Sequence, residues 1–273
     1  MNKLITGVSR TLLFAIAAAF AVPFVWMCLT SLKPADEIFL MPPSAFGSRL
    51  EWKNYIDAWN FLPFGRFLFN SFFVAACVTV LAVFTSSLAA YAFARIKFKG
   101  RDGFFVMYLA TLMIPQQVTV IPLYLLMNKF GWGNSYLPLI LPVAFTAFGT
   151  FLLRQFFLTI PYEMEESGRI DGCNAFHLYS LIIMPMAKPA LASLAIFTFI
   201  GQWKSFLWPL IIVNKDSFKT MPLGLQMFIG QYGTEWNVLM AAASIAIIPS
   251  ILIFVFFQRY LVEGISLTGM GGR

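Results

Sequence analysis

The chain has 273 residues, of which 59% are hydrophobic and 11% charged, and its formal net charge is +7. A water-soluble domain is closer to half apolar and a quarter charged, so this composition points to a bilayer as solvent and argues against a soluble globular domain. The positive charge does not signal nucleic acid, because no segment interleaves basic residues with exposed aromatics in a polar setting.

Apolar residues fall in blocks of about twenty, the length a helix needs to cross a hydrocarbon core ~30 Å thick. Six blocks run Thr11–Ser31, Leu68–Phe93, Gly103–Met127, Leu137–Phe157, Ala187–Val213 and Asn237–Phe257. They are apolar on all sides rather than alternating, which argues against a spanning barrel. The expected fold is all-α, a polytopic membrane protein with six transmembrane helices.

The first block follows Lys3 and Arg10 and contains Ala19-Phe20-Ala21, the flanks of a secretory signal. Apolar residues continue through Val25, Trp26, Met27 and Leu29, which favours an uncleaved anchor. Lys33 to Arg66 then form the longest segment outside the blocks, with Pro42, Pro43, Gly47 and Pro63. Trp52, Tyr55 and Trp59 suit either interfacial anchoring or a docking surface for an outside partner.

Arg95, Lys97, Lys99 and Arg101 crowd the short loop after the second block, and the positive-inside rule places that loop in the cytoplasm. Alternation then puts both termini inside, with Lys3, Arg10, Arg154, Arg169, Lys188, Arg259 and Arg273. Lys33, Arg49, Lys53, Arg66, Lys129, Lys215 and Lys219 fall outside, so the dense loop carries most of the inference.

The third block contains Pro115 and Pro122 with Gln116 and Gln117, and prolines free backbone groups that neighbours or water must satisfy. The fifth contains Gln202, Trp203, Lys204, Trp208 and Pro209, with Lys204 the one cation read in the middle of a span rather than near its end. A charge at that depth is costly unless it faces protein or water. These polar groups either line a translocation path or bond neighbouring helices, and Lys204 alternatively snorkels to the surface. Cys28, Cys77 and Cys173 show no CxxC or Cys/His spacing and read as small buried apolar residues.

Between the fourth and fifth blocks the chain reads Ile160-Pro161-Tyr162-Glu163-Met164-Glu165-Glu166-Ser167-Gly168-Arg169-Ile170-Asp171-Gly172. Its grammar is two short helices with a corner. Thr159 is expected to cap the first, Pro161 suits its first turn, and three glutamates oppose its positive pole. Asp171-Gly172 supplies a stop and Asn174 a cap for the second helix, which Pro185 and Pro189 close. Such an elbow is either a rigid handle for another protein or an ordinary turn between spans.

Glu166-Ser167-Gly168, three residues, Gly172, nine residues, then Ile182-Ile183-Met184-Pro185 resembles the EAA motif of ABC-importer permeases, E-A-A, three residues, G, nine residues, I-x-L-P. Ser167 and Gly168 stand for two alanines and Met184 for a leucine. The stretch from Pro161 to Pro189-Ala190-Leu191 is similar to the carbohydrate-uptake branch, in its maltose-type second permease. The resemblance covers nearly the whole chain. It implies an anchor helix and outer segment over 1–67 and a five-helix permease core over 68–273, with a coupling loop at about 160–185 and a short cytoplasmic tail.

The resemblance further implies a bacterial inner-membrane location and a coupling surface of Glu163, Glu165, Glu166, Ser167, Gly168, Arg169, Asp171 and Gly172. The implied partners are two ATP-binding subunits that use ATP and Mg, a second, different permease, and an external sugar-binding protein. This chain is expected to bind no cofactor itself. Lys204 stands where relatives often carry a neutral polar residue.

An enzyme reading lacks its parts. No Gly-Lys dipeptide exists for a phosphate-cradling GxxxxGK[ST] loop, and His177 has no second ligand at metal spacing. An ion-coupled secondary transporter or channel remains the alternative function, although no inverted repeat aligns the first three blocks with the last three.

Overall fold

A computed structural model describes residues 2–230 and 234–269, which are predominantly helical, with no β-strand among them. In chain order the helices are α1 (Asn2–Ser31), α2 (Lys53–Phe61), α3 (Phe64–Arg95), α4 (Arg101–Ala110), α5 (Gln116–Lys129), α6 (Leu137–Ile140) and α7 (Ala147–Thr159). They continue as α8 (Glu163–Ile170), α9 (Ala175–His177), α10 (Met184–Met186), α11 (Lys188–Trp203), α12 (Leu207–Ile212), α13 (Met221–Gln226) and α14 (Trp236–Gly269). A π-helical turn, Leu178–Ile183, joins α9 to α10. Arg273 and the Gly-rich end of the tail lie outside the described residues.

Three continuous helical stretches among the described residues are long and apolar enough to cross a membrane: Gly7–Ser31, Phe64–Arg95 and Trp236–Arg259. Three bent pairs pass the same test together and give up to six if each is one span: Arg101–Met113 with Gln116–Lys129, Leu137–Val143 with Ala147–Thr159, and Ala175–Met186 with Lys188–Trp203, at 96°, 41° and 78°. The sharpest bend follows from Pro115, which drives Ile114 out of helical ψ (115°) and leaves Gln116 to open α5. Pro122 does not end α5.

The fifth block does not form the continuous helix expected over Ala187–Val213. α11 stops at Trp203, Lys204 closes its C-terminus, and α12 restarts at Leu207. Pro209 explains the gap: in a continuous helix its ring would clash with the carbonyl of Ser205, four residues earlier. Lys204 is therefore an exposed helix-end residue, not a cation inside a helix.

The chain divides into two compact units, Met1–Arg66 with Leu223–Ile248, and Phe67–Pro222 with Pro249–Arg273. In the first, Asn54 is buried and its amide donates to the carbonyls of Ser31 (2.8 Å) and Lys33 (3.0 Å), while Asn237 donates to its Oδ1 (2.9 Å). The buried Asn54 amide, with its bonds made, fixes one register for α2 and α14. Tyr55 shares a 2.8 Å hydrogen bond with Ser31, while Trp52 and Trp59 are exposed.

In the second unit the core gathers Ala90, Tyr91, Leu153, Phe157, Tyr179, Ile183 and Leu194 from α3, α7, the π-helical turn and α11. Ala90, Ala187 and Ala190 are fully or nearly buried there, and small residues let helix backbones approach closely. At its other end Asn70 donates to the carbonyls of Ser217 (3.0 Å) and Lys219 (2.8 Å) and accepts from the Tyr136 hydroxyl (2.7 Å).

Candidate functional site

The elbow begins where α7 ends. The residue before Pro161 is disfavoured in the helical region, and Ile160 is extended (ψ 128°). Thr159 therefore stays with α7, its hydroxyl donating to the Phe156 carbonyl at 2.7 Å, and does not cap α8 as the sequence suggested. Instead the carbonyls of Pro161 and Tyr162 accept from the N–H groups of Met164, Glu165 and Glu166. Glu163, Glu165 and Glu166 occupy the first turn, where carboxylates complement the helix dipole.

The corner is a fully bonded Schellman motif. Gly172 has φ +85°, its N–H donates to Arg169 O (3.0 Å), and the Cys173 N–H donates to Gly168 O (2.9 Å). Asn174 then caps α9, its Oδ1 accepting from the His177 N–H at 2.9 Å. His177 is an exposed helix residue, and no group of metal-ligating side chains occurs among the described residues.

Two faces follow from the 3.6-residue period. Glu165 and Gly168, three apart, face inward. A Cβ at Gly168 would lie 2.6 Å from Ile182 Cδ1 and 2.7 Å from Leu178 Cδ2, so the glycine lets α8 lie directly on the π-helical turn. Glu163, Glu166, Ser167, Arg169, Asp171 and Gly172 are exposed, together with Met164, Phe176 and Ile170, the last 86% exposed. The outward face thus combines apolar side chains with carboxylates.

Glu165 itself is fully buried, with Oε1 3.0 Å from Arg95 Nε and Oε2 3.9 Å from Arg169 Nη2. The Arg95 contact is ionic but not aligned as a hydrogen bond. Arg95 Nη2 donates to the carbonyls of Phe157 and Ile160, the latter at 2.6 Å. Sequence reading assigned Arg95 only to the basic loop. The signal that marks it is its position directly after the buried Ala94 at the end of an apolar block, together with the inward spacing of Glu165 and Gly168.

The polar residues of the third and fifth blocks are split between surface and core. Gln116 and Gln117 are exposed at the start of α5, Gln202 is half-buried and Lys204 exposed. Trp203 is buried and stacks on Phe199 with centroids 6.0 Å apart. Trp208 is buried, and its indole N–H donates to the Pro138 carbonyl at 2.8 Å, holding α12 to α6. Both tryptophans have packing roles that the sequence left open.

The family profile of the binding-protein-dependent transport system inner membrane component matches residues 82–267. This chain belongs to that family. It is accordingly a multi-pass inner-membrane permease subunit, non-catalytic in itself, that works with a substrate-binding protein and partner subunits. Among its relatives are the probable ABC transporter permease protein YurM of Bacillus subtilis, 35% identical over 95% of this chain and 87% of the relative. The arabinooligosaccharides transport system permease protein AraQ of Halalkalibacterium halodurans is 34% identical over 96% and 95%. The sn-glycerol-3-phosphate transport system permease protein UgpE of Pectobacterium atrosepticum is 36% identical over 84% and 85%. The permease's fold matches a chain of a bacterial ABC transporter involved in the import of the acidic polysaccharide alginate, with a TM-score of 0.84, 20% identity, and coverage of 95% of this chain and 97% of that one.

Proposed function

We propose that the permease imports a carbohydrate, a di- or oligosaccharide or a related polyol or sugar derivative, by alternating access driven by ATP. Two ATP-binding subunits hydrolyse ATP with Mg, a second and different permease completes the membrane channel, and an extracytoplasmic protein delivers the sugar. The named substrates of AraQ and UgpE relatives support this class. Both termini and the elbow lie on the cytoplasmic side, a reading supported by the basic run from Arg95 to Arg101.

The observation that carries the coupling role is the elbow, residues 160–185. Its corner is closed by its own hydrogen bonds, and its outward face offers Glu163, Glu166, Ser167, Arg169, Asp171 and Gly172 around Met164 and Ile170 to a partner cleft. Glu165 and Gly168 support that face from behind. ATP binding drives transport only if it favours one permease conformation over the other, so a rigid handle is what the coupling requires. Gln116, Gln117, Gln202 and Lys204 are the polar groups available to a path shared with the second permease, with Trp203 and Trp208 fixing the helices behind them.

The test is uptake of labelled sugar into vesicles holding the reconstituted complex. Uptake should require ATP and the binding protein, and Glu166→Lys, reversing a charge at the docking face, should reduce sugar-stimulated ATPase while leaving membrane insertion intact. Transport by this chain alone on an ion gradient would contradict the reading.

A further inference from the structure

Arg95 is the last residue of α3, yet its guanidinium reaches three separate places. It donates to the Phe157 and Ile160 carbonyls at the end of α7, and it faces the Glu165 carboxylate of α8 at 3.0 Å. Glu165 is 0% exposed and Arg95 8% exposed. The Tyr162 ring lies beside both Arg95 (5.9 Å) and Arg169 (5.6 Å), enclosing the pair from the elbow side.

A buried charge pair is weak support for stability, since apolar residues of similar volume often stabilise as well or better. Its geometry matters more here. The two carbonyls lie at the helix end of α7, where Phe157 O also accepts from the Ile160 N–H (3.1 Å), and a planar guanidinium can serve both carbonyls and a carboxylate together. Lysine, a point charge on a flexible stem, cannot hold that fork.

We propose that Arg95 and Glu165 are the joint that makes the elbow, the end of α7 and the end of the α3 span move as one piece, so that displacement of the elbow becomes displacement of α3. Both are positioning residues, since neither faces the docking surface. The joint rests on the coupling role given to the elbow above.

The physical requirement is an element that both sites bias, rather than mere spatial succession. The joint meets it because separating α8 from α3 would take the buried Glu165 carboxylate from its nearest counter-charge, leaving it only the half-exposed Arg169 at 3.9 Å, and would leave the buried Arg95 guanidinium with carbonyls alone. Rigid transmission is thereby enforced by charge, with one neutral tie beside it: the buried Tyr179 hydroxyl shares a 2.7 Å hydrogen bond with Ser87 of α3, while Tyr91 and Ile183 are buried in the same core.

The experiment compares three variants in the complete reconstituted complex: Glu166→Lys, Glu165→Gln, and the double variant Arg95→Met with Glu165→Met. The apolar double variant removes both buried charges and should assemble like the parent, yet sugar transported per ATP hydrolysed should fall by about tenfold. Glu165→Gln should uncouple as well, to a smaller degree. A purely structural pair predicts the reverse, namely that the double variant regains full coupling along with its assembly, and that result overturns the joint.

Should the double variant fail to assemble, spin labels placed by Ala175→Cys on the elbow's α9 and Lys97→Cys just beyond α3 decide in an otherwise unaltered complex. Their separation should stay constant within the ~1–2 Å of ordinary helix shifts between resting and nucleotide-trapped states. A larger change means that the elbow and α3 move independently and overturns the proposal. If Glu166→Lys leaves coupling intact, the elbow reading fails and the joint with it. If Glu166→Lys uncouples while the double variant does not, the joint alone fails.

Discussion

Gly172 and Gly168 are four residues apart in one motif and are needed for different reasons. Gly172 sits at φ +85° with nothing within 4 Å of where a Cβ would be, so its requirement is conformational. Gly168 has ordinary backbone, and the ends of the Ile182 and Leu178 side chains stand where its Cβ would be. Gly172→Val should therefore cost the elbow ~1–2 kcal/mol through the left-handed backbone, and Gly172→Asn distinctly less, because Asn visits that region. Gly168→Ala should be close to neutral, since two flexible side-chain ends can yield and Ala gains ~1 kcal/mol of helix propensity. Gly168→Leu should overpack by ~1–3 kcal/mol. Thermal unfolding of the detergent-solubilised complex should rank them so, and equal loss at Gly172 for Val and Asn would refute the corner. The corner itself was legible, because Asp-Gly and Asn each have a local chemistry that acts through adjacent backbone. The burial of Glu165 was not, since three neighbouring glutamates look alike until the helix phase is fixed by what lies beneath.

Helix breaks were legible in proportion to how directly their cause acts on the chain. Pro115 acts on the residue before it, so the turn into α5 could be read from Pro-Gln-Gln. Pro209 acts four residues upstream, so the stop of α11 at Trp203 was hidden behind residues that are not themselves breakers. The outcome changes the roles of the polar residues on these elements. Trp208→Phe should lower stability by ~1 kcal/mol through loss of the bond to Pro138, with transport retained in proportion to folded complex. Gln116→Cys and Gln117→Cys, in a chain whose Cys28, Cys77 and Cys173 are replaced, should react with a water-soluble thiol reagent to different extents in resting and ATP-trapped states. Complete protection of both in both states would remove the start of α5 from the path. The apolar blocks themselves gave the helix count readily, because bilayer thickness fixes their length regardless of tertiary contacts.

For the whole molecule, the telling feature is what its helices leave uncovered. None of the apolar window of Gly7–Ser31 is buried within the chain, against 39% for Phe64–Arg95. Val8, Leu12, Leu13, Phe14 and Phe20 on it are exposed. In detergent the chain purified alone should aggregate or be cleaved early in limited proteolysis, and co-expression with its partner permease should raise the midpoint of thermal aggregation; an equally stable lone chain would show that detergent suffices to cover α1 and that no protein partner is needed there. The ion pair beneath the elbow has a further consequence for anyone building hybrid transporters. The segment from Tyr162 to His177 carries its own opening carbonyl, its own corner and its own cap, so it looks like a cassette that could be exchanged to match a foreign ATPase. It is not free-standing, because Glu165 brings with it only the half-exposed Arg169 at 3.9 Å and loses its closer, buried counter-charge unless residue 95 there is arginine. A chimera that transplants this segment must carry its distant basic residue along, and libraries that hold position 95 fixed as arginine should yield more working hybrids than libraries that vary it.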